Sequence, residues 1–171
     1  MKVIIIVDYQ VDFVTGSLGS DDARSIESAI CSRLDLALES GWDIIFTMDV
    51  HGEDYLSTFE GERLPVRHCI RGTGGELIYG HVADYIDHAM ILEKDTFGCS
   101  RLLEVLDGYD EIELCGVATN VCVLSNAVMA RTACPDARIE VRADCVASYD
   151  RVAGEKALDL MESIQVDVVR L

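Results

Sequence analysis

Residues 111–122 read Glu111-Ile112-Glu113-Leu114-Cys115-Gly116-Val117-Ala118-Thr119-Asn120-Val121-Cys122, and a helical pattern over about 119–133 follows. A short run of mostly apolar residues ends at a glycine, and the chain then turns into a helix. That is the strand–turn–helix unit of an α/β protein. Working outward, comparable runs recur at Lys2–Val7, Asp43–Met48, Ala89–Glu93, Ile139–Ala143 and Asp167–Arg170, all short and rich in Val, Ile and Leu. They are mostly apolar on both faces, as strands buried in a parallel sheet must be. Further helical patterns fall at about 21–40, 99–107 and 151–164, with Gly41 and Gly108 where C-caps belong. This alternation predicts a three-layer α/β/α sandwich around a mostly parallel, Rossmann-like sheet of six strands, in one domain over residues 1–171.

Composition narrows the function classes. Of 171 residues, 50% are hydrophobic, enough for a continuous core, while 14 Lys and Arg face 31 Asp and Glu, a formal charge of −17. Nucleic acid needs a basic face and a membrane surface needs basic or amphipathic segments, so both partners are excluded. With only two prolines and no charge blocks, disorder is excluded too. The apolar run Val3–Val7 ends at Asp8 and is too short for a signal-peptide core or a membrane span. Seven cysteines, odd in number and never in C-x-x-C spacing, predict reduced thiols and a cytoplasmic location rather than a disulfide framework.

Ligands of open parallel sheets bind beyond the carboxyl ends of the strands. There the chain places Asp8, Asp49, Lys94 and the turn 116–122. An acid after a strand is commonly a cap, a lysine commonly solvated and a cysteine commonly core; their convergence on one rim is what indicates chemistry. Cys122 falls in the first turn of its helix, where the dipole and an ammonium can lower a thiol pKa from about 8.5. Asp8 can take the thiol proton, Lys94 can steady negative charge, and backbone amides at the turn can hold an oxyanion. That outline is acyl transfer by a cysteine nucleophile. The stretch 49–80 breaks the rhythm, carrying His51, His68, Pro65 and six glycines, and a connection this long is usually functional. Asp49, His51 and His68 form a 2-His-1-carboxylate set suited to zinc, iron or manganese.

With these residues in hand, the sequence resembles the isochorismatase-like cysteine hydrolases, and among them the nicotinamidases and related amidases. Asp8-Tyr9-Gln10-Val11-Asp12-Phe13 is similar to the family's opening D-x-Q-x-D-F, and Thr47-Met48-Asp49-Val50-His51 to its T-x-D-x-H segment. Pro65-Val66-Arg67-His68-Cys69 with Gly72-Thr73, the lysine segment Glu93–Phe97 and the cysteine turn Gly116–Val123 follow in the family's order, so the match runs over nearly the whole chain. The resemblance implies a catalytic triad of Asp8, Lys94 and Cys122, and an oxyanion hole from the amides of Ala118 and Cys122. It also implies a cis peptide at Val117–Ala118 and a divalent metal, zinc foremost, on Asp49, His51 and His68. Glu60 stands where some members place a further ligand. Phe13 and Phe97 are aromatic walls for a planar substrate, with Leu64 where nicotinamidases usually have Trp. The implied reaction is hydrolysis of nicotinamide, or a close small aromatic amide, to the acid and ammonia through a thioester, in a homo-oligomer.

Three departures, Leu64, the extra residue between Pro65 and His68, and Asn120 in place of the acid often found two before the cysteine, keep open a family hydrolase of another small amide, ureido or carbamoyl compound. Vinyl-ether-cleaving members lack the nucleophilic cysteine, so Cys122 argues against that reaction. A phospho-accepting receiver domain shares the strand-end acids and lysine but has no use for the histidine-bearing loop. A non-catalytic scaffold has no use for all three of Asp8, Lys94 and Cys122. His81 and His88 read as surface residues, Trp42 and Cys99 as packing, and Cys69 as core.

Overall fold

The computed structural model describes residues 1–170; Leu171, the last residue of the expected 1–171 domain, lies outside the described residues. Strands β1 (Lys2–Val7), β2 (Asp43–Asp49), β3 (Met90–Lys94), β4 (Glu111–Val117), β5 (Arg138–Ala147) and β6 (Asp167–Val169) form one sheet. Its order is β3-β2-β1-β4-β5-β6, and every neighbouring pair is parallel. The helices are α1 (Val11–Val14), α2 (Asp21–Ser25), α3 (Glu27–Ser40), α4 (Phe59–Arg63), α5 (Leu102–Val105), α6 (Leu124–Ala133) and α7 (Arg151–Ser163).

Alternation along the buried strands sorts the core into two layers. Val3, Ile5 and Val7 of β1 join Leu102, Ala127, Ala130, Leu158 and Met161 on one face, where α5, α6 and α7 pack. Ile4 and Ile6 join Ile30, Leu34, Ala37 and Phe46 on the other, beneath α3. Helix α3 stops at Gly41, whose φ of 68° is the left-handed turn expected of a C-cap glycine.

The connections run outward from β1 to β2 and β3, and outward again from β4 to β5 and β6. The direction therefore reverses between β1 and β4, and a crevice opens there at the carboxyl ends. The two strands approach so closely that only glycine fits: Gly116 has φ 120°, and a Cβ on it would lie 2.0 Å from the Val7 carbonyl oxygen.

The expected elements stand with shifted ends. The segment 21–40 is two helices rather than one, turning at Ile26 after Ser25, whose hydroxyl donates back to the Asp22 carbonyl (2.7 Å) and competes with the helix. The helix expected over 99–107 shortens to α5. Strand β5 is twice its expected length, because four residues bulge opposite Cys115 between the Leu114–Val141 and Gly116–Val146 pairs. The stretch 49–80, expected to be irregular, contains a 3₁₀ turn at Tyr55–Ser57 and the short α4, whose cap Thr58 Oγ1 accepts from Gly61 N (3.0 Å). Such one-turn pieces are too short to show a period. Among the described residues no helix is long and apolar enough to cross a membrane.

Candidate active site

Strand register brings the charged groups together. Asp49 and Lys94 are ladder partners, the last pair of β2 and β3, and Asp8 follows β1 directly. Lys94 Nζ lies 2.7 Å from Asp8 Oδ2, 3.5 Å from Asp49 Oδ1 and 4.0 Å from Cys122 Sγ. Thr47 Oγ1 donates to Asp8 Oδ1 (2.7 Å), and Asp8 itself adopts a left-handed φ of 48°, a conformation Asp tolerates better than most residues. All of these groups are buried.

Burial governs the protonation of this cluster. It pushes the Asp8 carboxyl up, against the pull of Lys94. It works against the charge of Lys94, yet Asp8, Cys122 and Asp49 outweigh it and hold the ammonium. The Cys122 thiol is raised well above its ordinary value by burial and then by Asp8, with Lys94 opposing. The sequence led us to expect a lowered thiol. Instead Cys122 is only 6% exposed, in a wide π turn at Thr119–Val123 that precedes α6. The resting group is the thiol, held so by burial and by the neighbouring Asp8 carboxylate.

A second cluster stands beside the first. Asp49, His51, Glu60 and His68 each offer one donor atom, and the four atoms lie within 4.8 Å of one another. His51 Nε2 is 3.0 Å from Asp49 Oδ2, while His68 Nε2 is 3.5 Å from that oxygen and 3.7 Å from Glu60 Oε1. His68 Nδ1 sits 2.8 Å from the Val66 carbonyl, which only accepts, so in the neutral ring Nε2 keeps its lone pair for the cluster. Asp49 Oδ1 is buried without a hydrogen-bond partner. Burial pushes the Asp49 carboxyl up, but His51, His68 and Lys94 outweigh it and hold it well below the usual range. Two imidazoles and two carboxylates converging on one spot fit a divalent metal of the zinc, iron or manganese kind.

Both clusters border a cleft of about 570 Å³, open to solvent. Phe13, Leu64 and Phe97 line it, together with Ala118, Cys122 and Tyr149. The peptide Val117–Ala118 is cis. Sequence reasoning gave no role to several residues that build this cleft. Gln10, fully buried, clamps β2: its Nε2 donates to the carbonyls of Asp49 and Glu76 (both 2.7 Å), and its Oε1 accepts from Asp49 N (2.8 Å). Tyr55 packs its ring on both histidines, at 4.7 Å from His51 and 4.8 Å from His68, and donates to the Leu64 carbonyl (3.0 Å). Asn126 donates to the carbonyls of Cys122 (2.8 Å) and Phe97 (3.2 Å) and accepts from Cys99 N (2.8 Å). Thr47 was legible as two before Asp49 on one strand face, and Asn126 as one helical turn after Cys122. Gln10 is the fixed glutamine of the D-x-Q-x-D-F opening, which gave it no role, and Tyr55 carries no spacing signal. The residues read as structural stay so: Cys69 and Cys99 are buried, His81 and His88 exposed.

The isochorismatase domain model matches residues 2–171. This chain belongs to the isochorismatase family. Within it, the chain is 29% identical over 164 residues to the isochorismatase family protein PncA of Bacillus subtilis, covering 88% of each. The solved nicotinamidase PncA from Bacillus subtilis superposes with a TM-score of 0.85 at 28% identity, over 99% of both chains. The pyrazinamidase of Pyrococcus horikoshii, solved in complex with zinc, gives 0.85 at 27% identity over 99% of both. A pyrazinamidase/nicotinamidase from Streptococcus mutans gives 0.83 at 29%, over 99% of this chain and 100% of that one. The family's three-layer sandwich is thus the fold of this protein, as its sequence predicts.

Proposed function

We propose that this isochorismatase-family protein is a metal-assisted cysteine amidohydrolase that converts nicotinamide, or a close small aromatic amide, to its acid and ammonia. One observation carries the reading: Asp8, Lys94 and Cys122 meet at the β1/β4 crevice, on the same cleft as a four-donor metal set. The relatives bearing nicotinamidase and pyrazinamidase names, one of them with zinc, support it.

Asp8, its proton affinity raised by burial, accepts the Cys122 thiol proton as the sulfur attacks the amide carbonyl. Lys94 offsets the negative charge while the backbone amides of Ala118 and Cys122 hold the oxyanion. The C–N bond breaks, ammonia leaves with the proton from Asp8, and a thioester remains on Cys122. Asp8 then takes a proton from water, the resulting hydroxide attacks the thioester, the C–S bond breaks, and the returning proton restores the thiol. Phe13 and Phe97 flank the substrate ring, and Leu64 closes its side. Asp49, His51, His68 and Glu60 would hold the metal, which when bound supplies a Lewis acid to dock a ring nitrogen lone pair.

The test is ammonia release from nicotinamide by protein whose metal content is measured in parallel. Cys122→Ala should lower turnover by about a thousandfold or more, and rapid quenching of the unaltered protein with substrate should trap an acyl adduct on Cys122. A Cys122→Ala protein as fast as its parent would overturn the scheme.

A further inference from the structure

A second cavity adjoins the catalytic cleft. It is larger, about 1470 Å³ with its open side, and shares Glu60, Leu64, Phe97, Val121 and Tyr149 with the first. Where the two meet, the wall is aliphatic and aromatic apart from Glu60, which faces the metal set. At the junction Tyr149 is 67% exposed and beyond it Phe59 is 73% exposed, bare aromatic surface beside a reactive centre. Arg63 lays its guanidinium over the Phe59 ring, 3.4 Å from its centroid, and makes no salt bridge among the described residues. The stacked pair adds a cation–aromatic surface to the second cavity. Phe59 and Arg63 line the second cavity and not the catalytic cleft, so a pyridine ring seated in the cleft leaves them bare.

We infer that the physiological amide is larger than nicotinamide: a primary carboxamide on a nitrogen heteroaromatic ring that carries a flat, apolar substituent, which leaves the cleft between Leu64 and Phe97 and rests on Phe59. This deepens the function proposed above and rests on it. A pyridine ring that offers its nitrogen to the metal set and its 3-carboxamide to Cys122 turns the edge N1–C2–C3 inward. The atom opposite that edge, C5, is then the one aimed out of the cleft. The bond broken, the water consumed and the ammonia released are the same as for nicotinamide; only the bound surface grows. Because that surface is touched in the ground state and the transition state alike, the substituent should act mainly on KM.

The experiment compares ammonia release from nicotinamide and 5-phenylnicotinamide by the zinc-loaded protein. The expected result is a kcat/KM for the phenyl compound equal to or above that for nicotinamide. Phe59→Ala should raise KM for the phenyl compound about tenfold and leave nicotinamide hydrolysis unchanged. Leu64→Trp, which narrows the junction, should cut kcat/KM for the phenyl compound about tenfold or more. Turnover of nicotinamide with no turnover of the phenyl compound overturns this inference and leaves the proposed function intact. Equal effects of Phe59→Ala on both substrates overturn it as well. Ammonia from neither amide overturns both readings.

Discussion

At the scale of single residues, the site is a problem in buried charge. Two carboxylates, an ammonium and a thiol share a space that water scarcely enters, and each is tolerable only because the others are there. Lys94 is the pivot, within 4.0 Å of Asp8, Asp49 and Cys122 alike. Lys94→Ala leaves two acids facing each other without a cation, so it should abolish turnover and also lower stability by about 3 kcal/mol or more, checked by urea unfolding. Gln10 acts at one remove. It fixes the backbone of Asp49 from both sides, so Gln10→Ala should weaken zinc binding by about 10- to 100-fold. Isothermal titration of the metal-free protein would read that loss directly. Unaltered zinc affinity in a folded Gln10→Ala protein would show that Asp49 needs no such clamp. Asp8, Asp49, Lys94 and Cys122 were legible in the sequence because each sits at the end of an apolar run, where the chemistry of an α/β sheet collects. The roles of Gln10 and Tyr55 were not: their partners are 39 residues away along the chain in one case and two loop histidines in the other.

At the scale of elements, the strand ends decide what the helices cannot. Strands β2 and β3 run one residue further than their apolar pattern, so Asp49 and Lys94 are held by ladder bonds rather than on free loops. Groups placed that way lose little freedom on reaction, which favours rate. The turn after β4 winds as a π turn, and so buries Cys122 instead of presenting it at the first turn of an α-helix. The expected lowering of the thiol was therefore replaced by a raising. Gly116 makes this crowding possible. Gly116→Ala forces a Cβ to within 2.0 Å of the Val7 oxygen at a φ of 120°, so it should cost about 3 kcal/mol or more. A urea midpoint within error of the parent would contradict that close approach. Asn126→Ala removes the tie between α6 and the Phe97–Cys99 segment while leaving the thiol in place. Its KM for nicotinamide should rise more than its kcat falls, a split steady-state kinetics can resolve.

At the scale of the whole molecule, the proposed metal would be linked to the fold. A metal that binds only the folded chain adds stability, about 2.7 kcal/mol at a free concentration one hundred times Kd. Chelation should accordingly lower Tm, and stoichiometric zinc should restore it; a melting curve indifferent to both would remove the metal from the protein. Much of the formal charge of −17 lies on exposed acids away from the cleft, so it is no guide to the substrate. What the sequence determined by itself was the layer order, the parallel sheet and the residues at the strand ends. Those follow from local periodicity and from the rule that strand ends carry chemistry. Only the tertiary structure decided the register that pairs Asp49 with Lys94, the burial that keeps Cys122 a thiol, and the aromatic groove beside the cleft. Each of these depends on which distant segments exclude water from one another, and separation along the chain carries no record of that.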